Sequence, residues 1–199
     1  VPQPQPRVDL HELVAAVAVV ALELHLRHAV ELEDTEQTQG GVDVLLHAMV
    51  LLRKRVPEVR LIVAGDGPER IGLERLAAEL GIRDAVDFLG HLAQEQAEHA
   101  LGAAWVQAVP SRWEEPFGLV AAEAMMRGTA VVASESGGLA EQVEPGATGY
   151  LAPAGDAGAL ARALEQVVRD RDLAERMGTS ARVRALAELT IDRHVDRVV

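Results

Sequence analysis

Apolar and polar residues change their period along this chain in a way that separates two kinds of element. From Gly41 onward, short runs of β-branched and small apolar residues alternate with longer stretches whose apolar positions recur every three or four residues. The pattern predicts a helix over 42–55, a strand over 59–64, a helix over 69–80, a strand over 86–89, a helix over 94–102 and a strand over 105–109. It continues with a helix over 118–127, a strand over 129–134, a short helix over 138–143, a short strand over 149–152, and helices over 156–169, 172–186 and 191–197. Strands that alternate with helices, and that are apolar on both faces, define the fold class as α/β: a parallel sheet with helices on both faces. No internal repeat or heptad pattern is present.

Composition narrows this picture. A chain of 199 residues makes one domain, or one with an appendage, and is long enough for a substantial core. A net charge of −12 argues against a nucleic-acid surface, so no nucleic-acid partner is expected. There is no cysteine, and of the 19 basic residues only Lys54 is lysine, a usage that fits a cytoplasmic protein without disulfides. The longest apolar run, Leu13 to Leu22, is too short for a bilayer span of ~20 residues. It also lacks the flanks of a signal peptide.

The densest chemistry lies in residues 110–123, P-S-R-W-E-E-P-F-G-L-V-A-A-E. The apolar run Trp105 to Pro110 reads as a buried strand, and Gly118 to Met126 as a helix with apolar positions at Leu119, Ala122, Met125 and Met126. Ligands of open α/β sheets bind beyond the carboxyl ends of the strands, where helix starts present N–H groups to anions. Glu115 is then a loop residue and Glu123 a helical one about two turns in, roughly 12 Å along the axis. Two carboxylates would repel a phosphate but can accept hydrogen bonds from hydroxyls while backbone N–H groups hold the phosphate. A nucleotide sugar has hydroxyls at both ends and a diphosphate between them. Glu114 and Glu135 carry no such support and read as solvated surface. Gly65 to Pro68 reads first as a turn, His91 as a loop residue, and Trp105 and Trp113 as packing residues, with Trp113 bordering the pocket. Gly137 and Gly138 lead into a helix start and are a further phosphate candidate.

The run Glu115 to Glu123 resembles the paired-glutamate motif of retaining glycosyltransferases of the GT-B fold, the group 1 or family 4 enzymes. Five more stretches agree in the same order: G-V-D-V-L-L-H-A from Gly41, L-I-V-A-G-D-G-P from Leu61, V-D-F-L-G-H-L from Val86, G-T-A-V-V-A-S-E-S-G-G-L-A-E-Q-V from Gly128, and G-A-T-G-Y-L-A-P from Gly146. The resemblance implies that 41–199 is the Rossmann-like, nucleotide-sugar donor-binding C-terminal half of a GT-B fold. It implies that Glu115 occupies the catalytic position and binds donor-sugar hydroxyls, and that Glu123 binds the ribose. It also implies that Phe117, Gly118, Leu119 and Val120 offer backbone N–H groups to sugar and diphosphate. Gly90 to Leu92 would hold the base, largely through backbone atoms.

Residues 1–40 depart from that family. Where it has Gly-Arg and a Lys against the diphosphate, this chain has Asp34, Thr35 and Gly40. Removing one charge-assisted hydrogen bond, worth ~1.5–3 kcal/mol, weakens binding ~10-fold or more. The family's central strand would fall on V-E-L-E-D from Val30, which puts two carboxylates in a doubly buried position. Three readings stand: Val17 to Leu22 is the central strand and 23–40 an insertion; 12–27 is an amphipathic helix and the sheet is short or completed by another chain; or the segment is foreign to the family, as after a frameshift or a misplaced start. The last is preferred and predicts weak or exchanged structure.

The resemblance implies transfer of a hexose from a nucleotide sugar to an acceptor hydroxyl with retained configuration, with no cofactor and no essential metal. It also implies a missing acceptor-binding N-terminal domain, without which the chain turns over nothing. It leaves room for a membrane-surface acceptor in the full enzyme and for oligomerisation through 1–40. The alternative is a non-catalytic fragment or interaction module that kept the fold and lost the donor. A dinucleotide-binding dehydrogenase is disfavoured, since no strand is followed by G-x-G-x-x-G.

Overall fold

A computed structural model describes residues 16–20 and 41–189. Among them, six strands form one parallel sheet: β1 (Ala16–Val20), β2 (Arg60–Ala64), β3 (Val86–Gly90), β4 (Val106–Val109), β5 (Ala130–Ser134) and β6 (Gly149–Ala152), in the order β3-β2-β1-β4-β5-β6. The helices are α1 (Val42–Arg53), α2 (Arg70–Glu79), α3 (Gln94–Gly102), α4 (Leu119–Arg127), α5 (Gly138–Gln142), α6 (Ala157–Val168) and α7 (Arg171–Glu188). Each alternation read from Gly41 to Glu188 is present, with ends within a few residues of those expected. A 3-10 turn at Arg83–Ala85 has no counterpart in the apolar pattern. The expected helix over 191–197 lies outside the described residues.

The alternation of side chains along each strand sorts the core into two faces. Leu61, Val63, Val86, Phe88, Val106, Ala108, Ala130 and Val132 pack under α1, α2 and α6. The intervening residues face the other way: Ile62 and Ala64 pack beneath α3, and Val109, Val131 and Ala133 beneath α4, α5 and α7. A buried Val or Leu contributes ~1.5–3 kcal/mol relative to exposure, so Leu45, Leu46, Leu61, Leu139 and Leu164, all essentially inaccessible, anchor both layers.

The central strand settles the conformation of part of the N-terminal region. Ala16–Val20 pairs in parallel with β2, from Ala16 opposite Arg60 to Val20 opposite Ala64, and with β4 at Val17 and Ala18. The reading that put the central strand near Val17 to Leu22 is the one the chain follows, and the helical reading is overturned at 16–20. The preferred expectation, weak or exchanged structure, is corrected there too: A-V-A-V-V is small and β-branched, and it fills the central place within its own chain. V-E-L-E-D lies outside the described residues.

Strand order reverses between β1 and β4, so the crevice lies past the ends of these two strands. Its walls are held close by Gly41, whose φ is +64° and whose Cβ, if present, would stand 1.9 Å from the carbonyl oxygen of Pro110. Only glycine lets the start of α1 and the loop after β4 meet at that distance.

Candidate functional site

The loop from Pro110 to Gly118 leaves β4 and enters α4 through the Pro-Phe-Gly turn. Glu115 is half-buried, and its Oε1 accepts hydrogen bonds from Ser111 Oγ at 2.8 Å and from Trp113 Nε1 at 3.1 Å. Two donors on one oxygen fix that side chain and leave its second oxygen for another group. Ser111 is 3% exposed, and nothing in its sequence surroundings marks it out. Trp113, expected to be a packing residue beside the pocket, is 40% exposed and instead orients the carboxylate.

Gly118, at φ +80°, turns the chain into α4, and its carbonyl accepts from Ala121 and Ala122 N–H. Helix geometry gives Leu119 and Val120 N–H no acceptor within α4. Their donors therefore open on the crevice end of the sheet, with the positive end of the helix dipole behind them. The Leu119 side chain, expected on the apolar stripe, is 59% exposed and belongs to the rim. Glu123 is exposed and lies one turn inside α4, not two, because the helix begins at Leu119.

A second loop, 135–138, clamps the first. Gly138 N–H donates to the Glu115 carbonyl at 2.7 Å, Ser136 Oγ donates to the Trp113 carbonyl at 2.9 Å, and Gln142 Nε2 donates to the Phe117 carbonyl. A Cβ on Gly137 would come within 2.3 Å of Glu115 O, and one on Gly138 within 2.7 Å of Phe117 O. The sequence suggests a phosphate role for Gly137 and Gly138 through unengaged N–H groups. The Gly138 N–H is engaged, and the pair's lack of side chains is accounted for by backbone contact with the glutamate loop.

Charge at the crevice is mixed. Arg112 Nη2 meets Asp43 Oδ2 at 2.6 Å, bringing a cation from the β4 loop to the first turn of α1. The second oxygen of Asp43 is buried without a hydrogen-bond donor among the described residues. Burial first, and Asp43 next, raise the Glu69 carboxyl above its ordinary range, with Arg112 opposing.

Leu92 stands beyond the end of β3, half-buried against the cluster under α3, on the far side of the crevice across β2 and β1. The segment before it is fixed from below: Arg70 Nη2 donates to Phe88 O at 3.3 Å, and a Cβ on Gly90 would meet Arg70 Nη1 at 2.5 Å. His91 is exposed. Gly65 to Pro68 forms the expected turn, with Asp66 Oδ1 accepting from Gly67 N–H at 2.9 Å. Trp105 packs against the core and lies beneath the Arg171 guanidinium at 5.7 Å.

Comparison with known proteins agrees with this arrangement. Residues 37–184 match the family model described as glycosyl transferases group 1. A D-inositol 3-phosphate glycosyltransferase of Streptomyces avermitilis is 43% identical over 150 residues, which cover 70% of this chain and 32% of that protein. The chain thus spans about a third of the length of the curated relatives it matches. Among solved structures, sucrose-phosphate synthase from Thermosynechococcus elongatus superposes with a TM-score of 0.77 at 31% identity, covering 96% of this chain and 46% of that one. Anabaena Alr3699/HepE, solved in complex with UDP and glucose, superposes with a TM-score of 0.75 at 26% identity, covering 92% and 47%. With its Rossmann-like sheet of GT-B type, this chain belongs to the group 1 glycosyltransferases.

Proposed function

We propose that this chain is the donor-binding domain of a retaining glycosyltransferase that transfers a hexose from a nucleotide sugar to an acceptor hydroxyl. The observation that carries the reading is the placing of Glu115 and Glu123 on either side of a helix start whose first two N–H groups lack intrahelical acceptors, at the switch point of the sheet. Glu115, oriented by Ser111 and Trp113, takes the hydroxyls of the sugar at the catalytic position. Leu119 and Val120 N–H, with Phe117 and Gly118 shaping the turn, face the diphosphate, and Glu123 takes the ribose. Gly137 and Gly138 hold the glutamate loop in place, and the backbone around Leu92 borders the base. The complex of the Anabaena relative with UDP and glucose supports a donor of this kind.

In this reading the leaving phosphate helps to deprotonate the acceptor on the same face, no metal or cofactor is needed, and the protein contributes positioning and charge stabilisation. An acceptor-binding domain completes the enzyme, which acts in the cytoplasm, on a membrane-surface acceptor or a soluble one. A second reading, a chain that kept the fold and lost the donor, is favoured by Asp34, Thr35 and Gly40 standing where the family has cations.

Calorimetric titration with UDP, GDP, ADP and their sugar conjugates separates the two. Saturable binding of one base series, weakened ~10-fold or more in Glu123→Ala by loss of a charge-assisted bond, is the expected result. No binding by a folded chain would sink the donor reading and leave the second.

A further inference from the structure

Apolar packing on the α3–α4 face of the sheet is interrupted. Ile62 and Ala64 belong to the cluster under α3, and Val109, Val131 and Ala133 to the one under α4, α5 and α7. Between them β4 presents Gln107, 1% exposed. Its Oε1 accepts from Arg127 Nη2 at 2.6 Å, and its Nε2 donates to the carbonyl of Val120 at 3.2 Å. Arg127 is the last residue of α4, and helical side chains lean back toward the preceding turn. That turn holds Glu123, four residues earlier, in the favourable order of acid before base. Burial makes the guanidinium easier to deprotonate, while the charges of Glu123 and of Glu98 on α3 oppose this. Arg127 Nε is buried and has no acceptor among the described residues.

A buried amide–guanidinium pair is a poor source of stability, because apolar residues of similar shape serve as well. What this pair does is geometric. It joins the middle of β4 to both ends of α4: to Val120, whose N–H faces the crevice, and to the turn that carries Glu123.

We propose that Arg127, locked by Gln107, is a positioning residue of the donor site that holds the Glu123 carboxylate in one orientation and fixes the first turn of α4. The proposal rests on the assignment of Glu123 to the ribose. An unrestrained exposed glutamate must lose its rotamer freedom when it binds, and restraint before binding removes that cost.

The test uses the whole chain and the nucleoside diphosphate that it binds, with the dideoxy analogue that lacks both ribose hydroxyls. Arg127→Met keeps the stem and removes the charge. It is expected to weaken the ribonucleotide about tenfold and the dideoxynucleotide hardly at all, as Glu123→Gln does, with Glu123→Gln/Arg127→Met no weaker than Glu123→Gln alone. Arg127→Lys should recover part of the discrimination. The pair Gln107→Leu/Arg127→Met, which replaces the polar seam by an apolar one, guards against misfolding and should show the same collapse of discrimination. Equal weakening of both nucleotides, or unchanged discrimination in the apolar pair, overturns the proposal.

If the wild-type chain binds none of UDP, GDP and ADP, the ribose assignment fails, and the contact itself is judged without ligand. The Arg127 Nε–H resonance must then shift in Glu123→Gln, and an unmoved resonance overturns the contact.

Discussion

Glu115 and Glu123 carry the same carboxylate on unequal supports. Glu115 is half-buried and held by two donors from its own loop, Ser111 and Trp113. Glu123 is exposed on a helix, and its restraint comes from a neighbour one turn away. The other acid of consequence is Glu69, whose folded pKa is raised by burial and by Asp43. A raised carboxyl pKa means that the native state holds its proton more tightly than the unfolded state, so the contribution to stability is full below the ordinary value of 4.5 and is lost as pH rises through the raised one. Glu69 is exposed to solvent, so the effect is small. In denaturation series between mildly acidic and neutral pH, Glu69→Gln should be slightly less pH-sensitive than the wild type, and identical slopes would contradict the assignment. Of these residues, the spacing and flanks of Glu115 and Glu123 are legible in the sequence. Ser111, Gln107 and Arg127 are not, because a serine, an amide and a helix-ending arginine have no spacing signature. Their meaning arises only when β4 and α4 pack.

At the scale of elements, the glutamate loop depends on the 135–138 loop as a template. Gly137 has φ +49°, and a Cβ there would overlap the Glu115 carbonyl. Gly137→Ala is therefore expected to cost about 2–4 kcal/mol and to displace Glu115. Gly72 of α2, which has nothing within 4 Å of an added Cβ, is the control: Gly72→Ala should stabilise by about 0.5–1 kcal/mol. Urea denaturation of both decides the point, since similar stabilities for the two variants would show that the loops are not in backbone contact. Strand and helix boundaries from Gly41 onward are readable because period-2 and period-3.6 patterns are local. The phosphate role suggested by Gly137-Gly138 illustrates the opposite case: a glycine pair before a helix looks alike in sequence whether it faces a ligand or another backbone. The position of Glu123 within α4 is equally hard to read, since the turn before Leu119 continues the helical composition without being helix.

For the whole molecule, the sheet order β3-β2-β1-β4-β5-β6 makes the place of the site a consequence of topology. The first strand occupies the centre, so the chain segments that follow β1 and β4 must both open on the same crevice, and Gly41 joins them there. The central place of Ala16–Val20 is among the alternatives that the sequence leaves open but not the preferred one. Five small apolar residues far from the recognisable motifs carry little pattern of their own, and only pairing with β2 and β4 gives them a place. A net charge of −12 disfavours anionic ligands at long range, so donor binding must depend on short contacts at the start of α4, with Arg112 the cation brought nearby from the β4 loop. Backbone amide chemical-shift mapping during titration with UDP, GDP or ADP tests this most directly. The account predicts the largest, saturable changes at Leu119 and Val120, with smaller ones at Glu115, Glu123 and the 90–92 segment. Saturable changes centred elsewhere, or none in a chain whose spectrum is that of a folded domain, would contradict it.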